Sequence, residues 1–232
     1  MNSPALCHAI IVAAGAGTRM GLADPKQFAP LNGKPIWIRT LKVFVDCEAV
    51  QGITVVIPAG FETQCREDLR THAVTCAISF VCGGADRGES VRNALAALPA
   101  TAQTVLIHDA VRPFVTTAQI TAIAAEASRR TAAILAVRPK DTVKETNETG
   151  HITHTPAREK LLLAQTPQGF NASLLRRAYD IAAADGFVGT DDASYVERLG
   201  IRPVAVEGDY RNIKLTTQED LLLAAAFLQS PS

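Results

Sequence analysis

Two cations flank a glycine-rich stretch near the amino terminus, Ala13-Ala14-Gly15-Ala16-Gly17-Thr18-Arg19-Met20-Gly21-Leu22-Ala23-Asp24-Pro25-Lys26-Gln27. It follows His8-Ala9-Ile10-Ile11-Val12, an apolar β-branched run that reads as a buried strand. Glycines placed after a strand let the chain turn tightly and bring backbone N–H groups against a ligand. Arg19 and Lys26 add fixed positive charge, and no carboxylate intervenes before Asp24. This donor set suits a strongly anionic ligand, and a triphosphate is the most economical one. Ala13, Ala14, Gly15 and Gly17 are the candidate backbone contacts.

Spacing excludes two familiar phosphate loops. A Walker loop carries Lys-Ser/Thr directly after its last glycine, where this chain has Met20-Gly21. A dinucleotide fingerprint needs Gly or Ala at the position of Met20. A plain glycine-rich turn would explain the two glycines alone. It does not explain Arg19, nor Lys26 after Pro25.

Other clusters lie further along the chain. Gly83-Gly84-Ala85-Asp86-Arg87-Gly88-Glu89-Ser90-Val91 follows an apolar run and opens a helix, whose N-terminal N–H groups favour anions. A capped helix start is the alternative reading. In His108-Asp109-Ala110-Val111-Arg112-Pro113, an Asp at a strand's carboxyl end suits Mg²⁺ bound through one carboxylate plus phosphate oxygens. It equally suits a sugar hydroxyl, or a plain structural turn. His108 has no partner at metal-ligand spacing and reads as local structure. Lys214, in Asn212-Ile213-Lys214-Leu215, reads on its own as a solvated edge residue.

The elements that must hold these residues follow from periodicity. Strands are expected at 53–58, 78–82, 104–108 and 132–137, alternating with helices at 35–48, 61–70, 87–98 and 117–130. That alternation argues for an α/β fold with a mostly parallel sheet and right-handed crossovers. In such sheets ligands bind beyond the carboxyl ends of the strands, so the polar clusters after strands one, three and four are candidates for one site. The pattern breaks after Pro139. Short polar strands at 141–145 and 151–155 around Asn147-Glu148-Thr149-Gly150 read as a hairpin with almost no apolar face. Such a hairpin has no place in a central core and is expected to project. Beyond it, helices are expected at 171–184 and up to 199, the latter capped by Thr190-Asp191-Asp192. Late strands are expected at 203–207 and 212–215. Thr217 and Asp220 resemble a capping box for the last helix.

The chain has 232 residues with 23 basic and 23 acidic side chains. Its length fits one domain, 1–232, and its balanced charge implies neither a nucleic-acid nor a membrane partner. The five cysteines are scattered without a C-x-x-C pair, as expected of reduced thiols in the cytoplasm. The apolar run at the amino terminus lacks a basic leader, and no apolar stretch approaches the roughly 20 residues needed to span a bilayer.

The loop Ala-Ala-Gly-x-Gly-x-Arg-Met-Gly followed by Pro25-Lys26-Gln27-Phe28 resembles the signature of nucleotidylyltransferases that act on sugar and polyol phosphates. Within that group it is most similar to the methylerythritol-phosphate cytidylyltransferases of the non-mevalonate isoprenoid pathway. The resemblance extends to Lys140-Asp141-Thr142-Val143-Lys144, to Arg158 with Thr166-Pro167-Gln168-Gly169-Phe170, to Thr190-Asp191-Asp192-Ala193, and to Asn212-Ile213-Lys214-Leu215-Thr216. It implies a Rossmann-like, GT-A-like nucleotidyltransferase domain, with residues 139–158 as a β-hairpin arm reaching into a neighbouring subunit.

The resemblance also implies roles. Arg19, Lys26, Arg158 and Lys214 are the expected catalytic cations. Gly84, Arg87, Ser90, Asp109 and Ala110 join the first loop around the nucleotide, although the family often has an acidic residue where Ala85 stands. Arg112, Thr142, Arg158, Thr190, Lys214 and Asp109 are expected around the second substrate, and Asp109 is the candidate metal ligand. For Thr190, plain helix capping remains the alternative. The implied reaction joins CTP and a polyol phosphate with Mg²⁺ or another divalent cation, in a homodimer with exchanged arms. A ribitol-5-phosphate cytidylyltransferase, or a nucleotide-binding module without turnover, are the alternatives.

Overall fold

Strand β1, Cys7–Val12, sets the layering of the molecule. Alternate side chains of a strand face opposite ways. Ala9 and Ile11 join the apolar layer that includes Trp37, Leu41, Phe44 and Ile120. Ile10 joins the opposite layer, with Val91, Leu95, Phe170 and Leu175. Both faces of the strand are thus covered, which explains a continuous apolar run rather than an alternating one. Burying each of these large side chains stabilises the fold by roughly 1.5–3 kcal/mol. This computed structural model describes residues 5–15 and 25–229. Gly17 and Arg19, two expected site residues, lie outside the described residues.

A two-stranded ribbon follows, β2 (Pro30–Leu31) with β3 (Lys34–Pro35). Its turn residues Asn32 and Gly33 both have positive φ, 46° and 75°. Asn-Gly is the dipeptide such a turn demands. The ribbon corrects the expected helix start: Pro35 is extended (φ −53°, ψ 140°) and precedes α1, Ile36–Val45, rather than forming its first turn. The chain continues through β4 (Val50–Ile57), α2 (Glu62–Thr71), β5 (Ile78–Cys82), α3 (Arg87–Ala97), β6 (Thr104–Asp109), α4 (Thr117–Arg130) and β7 (Ala132–Val137). These lie within a residue or a few of the expected spans. Helix α4 opens with a reciprocal capping box between Thr116 and Gln119.

The hairpin is present but shorter than expected, with β8 at Glu145–Thr146 and β9 at Ile152–His154. Every residue of both strands is exposed. Its tip is built by Asn147, whose Oδ1 accepts from the N–H groups of Thr149 (3.1 Å) and His151 (3.0 Å). Strand β10, Leu163–Asn171, then returns to the sheet, followed by α5 (Ala172–Ala184), α6 (Asp192–Glu197), β11 (Val204–Glu207) and α7 (Gln218–Gln229).

The main sheet has seven strands in the order β11-β7-β10-β6-β1-β4-β5. Pairings among β6, β1, β4 and β5 and between β11 and β7 are parallel; β10 is antiparallel to both neighbours. The expected late strand at 212–215 is not formed. This segment is irregular and is held by a single ladder-like bond, Leu215 N–H to Val111 O at 2.9 Å. Leu215 is fully buried beneath α7 with Leu31, Ile36 and Ala224. Its anchoring side chain thus does what a second row of sheet bonds would have done.

Candidate active site

Two clefts open beyond the carboxyl ends of the parallel strands. The larger, about 470 Å³, is lined by Ala13, Ala14 and Gly15 after β1, by Gly84 and Ser90 after β5, and by Lys26. The smaller, about 270 Å³, is lined by Arg112, Gln165, Thr166, Gln168, Thr190 and Asp191. Arg87, Asp109 and Lys214 line both. These three form the wall between the clefts.

The floor of the larger cleft is made by side chains gripping backbone. Phe28 stacks on Phe61 (4.9 Å between ring centroids) and meets Trp37 edge-on, which fixes the short 3-10 turn Lys26–Phe28 in the core. The Gln27 amide donates to the carbonyls of Ala13 and, at 3.1 Å, of Gly15. Lys26, between this clamp and Pro25, is buried at the cleft wall. Gln27 carries the geometry of the first loop, although its type alone gave no chemical signal.

The second loop is packed against the first. A Cβ on Gly83 would stand 2.3 Å from the Ala14 Cβ, so only glycine allows this approach. The Gly84 N–H donates to Ser90 Oγ (3.0 Å), and Ser90 Oγ donates to Asp86 O (2.8 Å). Asp86 caps α3 by accepting from Glu89 N (2.8 Å), while Glu89 accepts from Ala85 N (2.7 Å). Glu89 thus brings a carboxylate to the backbone of Ala85. Ser90 both lines the cleft and braces its loop.

Asp109 is the electrostatic centre. Its side chain is 8% exposed, with Lys214 Nζ 2.8 Å away, Arg87 Nε at 3.4 Å and Arg112 Nε at 3.8 Å. Burial pushes its carboxyl pKa up, but Arg87, Lys214 and Arg112 together hold it well below the usual carboxylate range. Asp109 is therefore ionised throughout the neutral range. Asp109 thus faces three cations, Arg87, Arg112 and Lys214, and with a second carboxylate, Asp192, also paired to Arg87, the cluster keeps one net positive charge, suited to phosphate groups on either side. Arg112 also donates to Asn212 O (2.7 Å), fastening the segment that carries Lys214.

Beneath Asp109 lies a polar brace. Thr166 Oγ1 accepts from Asp109 N–H (3.2 Å) and stands 3.0 Å from His108 Nδ1. His108 Nε2 lies 3.2 Å from Arg112 O. A carbonyl only accepts, so Nε2 carries the proton and Nδ1 accepts from the Thr166 hydroxyl. Burial pulls the His108 pKa down to about 3, which keeps the ring neutral in this role. The register shift in β10 between Ala164 and Gln168 places Gln165 and Thr166 here.

The remaining expected residues are placed differently. Ala110 is fully buried beneath the floor, and its carbonyl accepts from Thr40 Oγ1 at 2.7 Å; its neighbours Asp109 and Val111 line the cleft instead. Thr190 lines the smaller cleft and lies just before Asp191, the residue that caps α6. Thr142 and Arg158 are exposed at the root of the hairpin and line neither cleft of their own chain. Arg158 donates to Lys140 O at 2.9 Å, tying one leg of the hairpin to the other. Among the described residues, no three His, Cys, Asp or Glu side chains gather as a metal cage. All five cysteines are free.

A family model described as 2-C-methyl-D-erythritol 4-phosphate cytidylyltransferase matches residues 7–230. A protein of that name from Geobacter metallireducens is 49% identical over 225 residues, covering 95% of this chain and 97% of its own length. One from Geobacillus thermodenitrificans is 46% identical over 224 residues, covering 96% and 97%. Among solved structures, 4-diphosphocytidyl-2C-methyl-D-erythritol synthase from Anaerococcus prevotii superimposes with a TM-score of 0.87 at 32% identity, covering 97% of this chain and 96% of that one.

Proposed function

This chain belongs to the family of 2-C-methyl-D-erythritol 4-phosphate cytidylyltransferases, and from that membership we infer how its two clefts divide the reaction. The enzyme transfers CMP from CTP to 2-C-methyl-D-erythritol 4-phosphate, a step of isoprenoid biosynthesis. CTP occupies the larger cleft, with its triphosphate toward Lys26 and the loop 13–15. The polyol phosphate occupies the smaller cleft, beside Arg112, Thr166 and Thr190. The observation that carries this division is the wall of Arg87, Asp109 and Lys214, which both clefts share.

Two anionic substrates meet across that wall. An oxygen of the polyol phosphate forms a bond to the α-phosphorus of CTP, and the bond from that phosphorus to the bridging oxygen of the β-phosphate breaks. Pyrophosphate leaves with the electron pair, and the product is a CDP-alcohol. A phosphate monoester is largely dianionic at neutral pH, its second pKa being about 6. No protein base is needed, so catalysis reduces to positioning and charge neutralisation. Lys214 holds the attacking phosphate, and Lys26 offsets charge on the transferring group and on the departing pyrophosphate. Arg19, outside the described residues, is expected to share that role by its place in the motif.

Magnesium fits as the cofactor. Besides Asp86, which caps α3, the larger cleft offers the carboxylate of Asp109, and among the described residues no acidic, His or Cys cage gathers, which suits an ion held mainly by triphosphate oxygens and water. Such an ion would neutralise phosphate charge and fix the triphosphate's shape.

The arm completes the second subunit's site in this reading. Thr142 and Arg158 lie outside the clefts of their own chain, and exposed apolar residues mark the hairpin and its root: Ile152, Leu162 and Leu163. A two-fold exchange of arms would bury these groups and bring Thr142 and Arg158 to the partner's polyol phosphate. The five free cysteines favour a reducing compartment, the cytoplasm, as its location.

The test is pyrophosphate release from CTP with a panel of sugar and polyol phosphates. Turnover highest with methylerythritol phosphate supports the reading. Preference for ribitol 5-phosphate would reassign the substrate, and tight CTP binding without turnover on any of them would make the chain a binding module.

A further inference from the structure

The wall between the clefts is held from behind by a carboxylate that touches neither. Asp192, at the start of α6, is fully buried. It grips Arg87 in a two-pronged ion pair, Nη1 to Oδ1 at 3.1 Å and Nη2 to Oδ2 at 2.6 Å. The Tyr179 hydroxyl of α5 donates to the same Oδ1 at 2.6 Å. Tyr179 in turn stacks on Tyr195 of α6, with ring centroids 4.0 Å apart. Neither Asp192 nor Tyr179 lines either cleft.

We propose that Asp192 is a positioning residue for the transfer reaction, fixed by Tyr179 and acting through Arg87 on Asp109. The inference rests on the proposed division of the clefts and adds to it residues that meet no substrate.

Arg87 stands between two competing carboxylates, Asp192 and Asp109. A guanidinium pairs best with a carboxylate edge-on, through two parallel bonds. Asp192 takes that edge of Arg87, leaving only Nε for Asp109, at 3.4 Å. Asp109 thereby keeps its short contact to Lys214, 2.8 Å. Without the Asp192 charge, the strongest partner left to Arg87 is Asp109. A two-pronged Arg87–Asp109 pair would draw that carboxylate from Lys214 and shift the cation that holds the attacking phosphate. Asp192 also anchors α6 beside the smaller cleft. Gln168 clamps the start of the same helix, accepting from Ala193 N (3.0 Å) and donating to Asp191 (2.8 Å). The Arg87–Asp192 pair therefore links the helix bordering the polyol cleft to the helix bordering the nucleotide cleft.

The test is a double-mutant cycle on full-length enzyme, with Asp192→Asn, Arg87→Met and the pair. Kinetics are normalised to the folded fraction by circular dichroism, and melting temperature is followed in parallel. Asp192→Asn should lower kcat by at least about tenfold with the CTP KM within about threefold, because the loop 13–15 and Lys26 are untouched. The pair should lose no more than the worse single variant, because Asp192 acts through Arg87. Should Asp192→Asn fail to fold, Tyr179→Phe replaces it in the cycle, with an expected kcat loss of about threefold or more that again vanishes in the Arg87→Met background. A kcat that stays native in folded enzyme while melting temperature falls would overturn the proposal, as would losses that multiply. Wild-type turnover with CTP and methylerythritol phosphate is measured alongside. If that control is absent the cleft assignment fails, whereas a normal control with an additive cycle refutes only the role of Asp192.

Discussion

Lys214 Nζ stands 2.8 Å from Asp109 Oδ2, joining an irregular segment near the carboxyl terminus to the end of β6. The segment has no sheet partner of its own. Leu215 buries beneath α7, Leu215 N–H bonds Val111 O, and Arg112 holds Asn212 O. These fastenings place the ammonium at the junction of the two clefts.

Lys214→Met should therefore cost more in turnover than in stability. The Lys214 side chain is 38% exposed, so its pairing contributes modestly to folding. Its cation is expected to act on the phosphate at the junction of the two clefts, and kcat should fall about 100-fold, some 2.7 kcal/mol of barrier. Steady-state kinetics with both substrates measure it. A kcat within threefold of wild type would mean that Lys214 only neutralises Asp109.

Gly84→Val should weaken CTP binding without unfolding the chain. A Cβ there would stand 2.3 Å from Glu89 Cγ and 2.6 Å from Glu89 Cβ. The latter is fixed to α3, so the loop must move away from the helix. CTP affinity by titration calorimetry is expected to fall at least about tenfold, with a native circular dichroism spectrum. Unchanged affinity would place the base elsewhere.

Much of this site was legible before the fold was known, and the reason is chemical. Glycines that permit close approach, and cations beside such a loop, have few alternatives at their positions; Gly84 and Lys26 are readable for that cause, whereas Lys214 alone reads as a solvated edge residue and is marked as a phosphate cation only by the family resemblance. In the sequence Asp192 reads only as part of a helix cap, because a buried carboxylate and a capping carboxylate look alike in one dimension. Its neighbour Asp191 is the cap, accepting from Ser194 N at 3.0 Å. His108 reads as local structure in the sequence, but its bond to Thr166 lies 58 residues along the chain, beyond any local pattern. The expected strand at 212–215 failed because a buried Leu with one backbone bond has the same sequence signature as a paired strand. The Asn32-Gly33 turn, by contrast, carried a clear hairpin signal that the neighbouring Pro35 obscured.

Acid should destabilise the protein through His108. The buried ring has a pKa of about 3 against an ordinary 6.5, so the unfolded chain binds a proton that the folded one refuses. The stability this represents is fully present above about pH 6.5 and is lost as pH falls toward 3, by up to about 1.4 kcal/mol per pH unit. Urea midpoints should decline steadily from pH 6.5 to 4. His108→Gln should flatten that decline, leaving the contribution of His8, whose pKa burial also lowers. Asp109 has the opposite kind of group but the same sign. Its depressed pKa adds stability that is lost only below about pH 4. An equally steep decline in the variant would remove His108 from this account.

Arm exchange is tested by complementation. Lys26→Ala and Arg158→Ala chains should each be nearly inactive. In a mixed dimer one site receives both lesions and the other receives neither. Random re-pairing after mild dissociation should then restore about a quarter of wild-type activity, if the sites are independent. Mass measurement confirms the exchange. No recovery in verified mixed dimers would mean that Arg158 serves its own chain.

The central claim is that two phosphates react across the wall of Arg87, Asp109 and Lys214. The most direct measurement is ³¹P nuclear magnetic resonance of the wild-type enzyme with CTP, methylerythritol phosphate and magnesium. The monoester signal should disappear as a new diphosphate diester appears, with one pyrophosphate released for each. In Asp109→Asn the same conversion should slow by at least about 100-fold while CTP remains bound. Intact CTP alongside unchanged monoester in the wild-type sample, or full-rate conversion by Asp109→Asn, would contradict it.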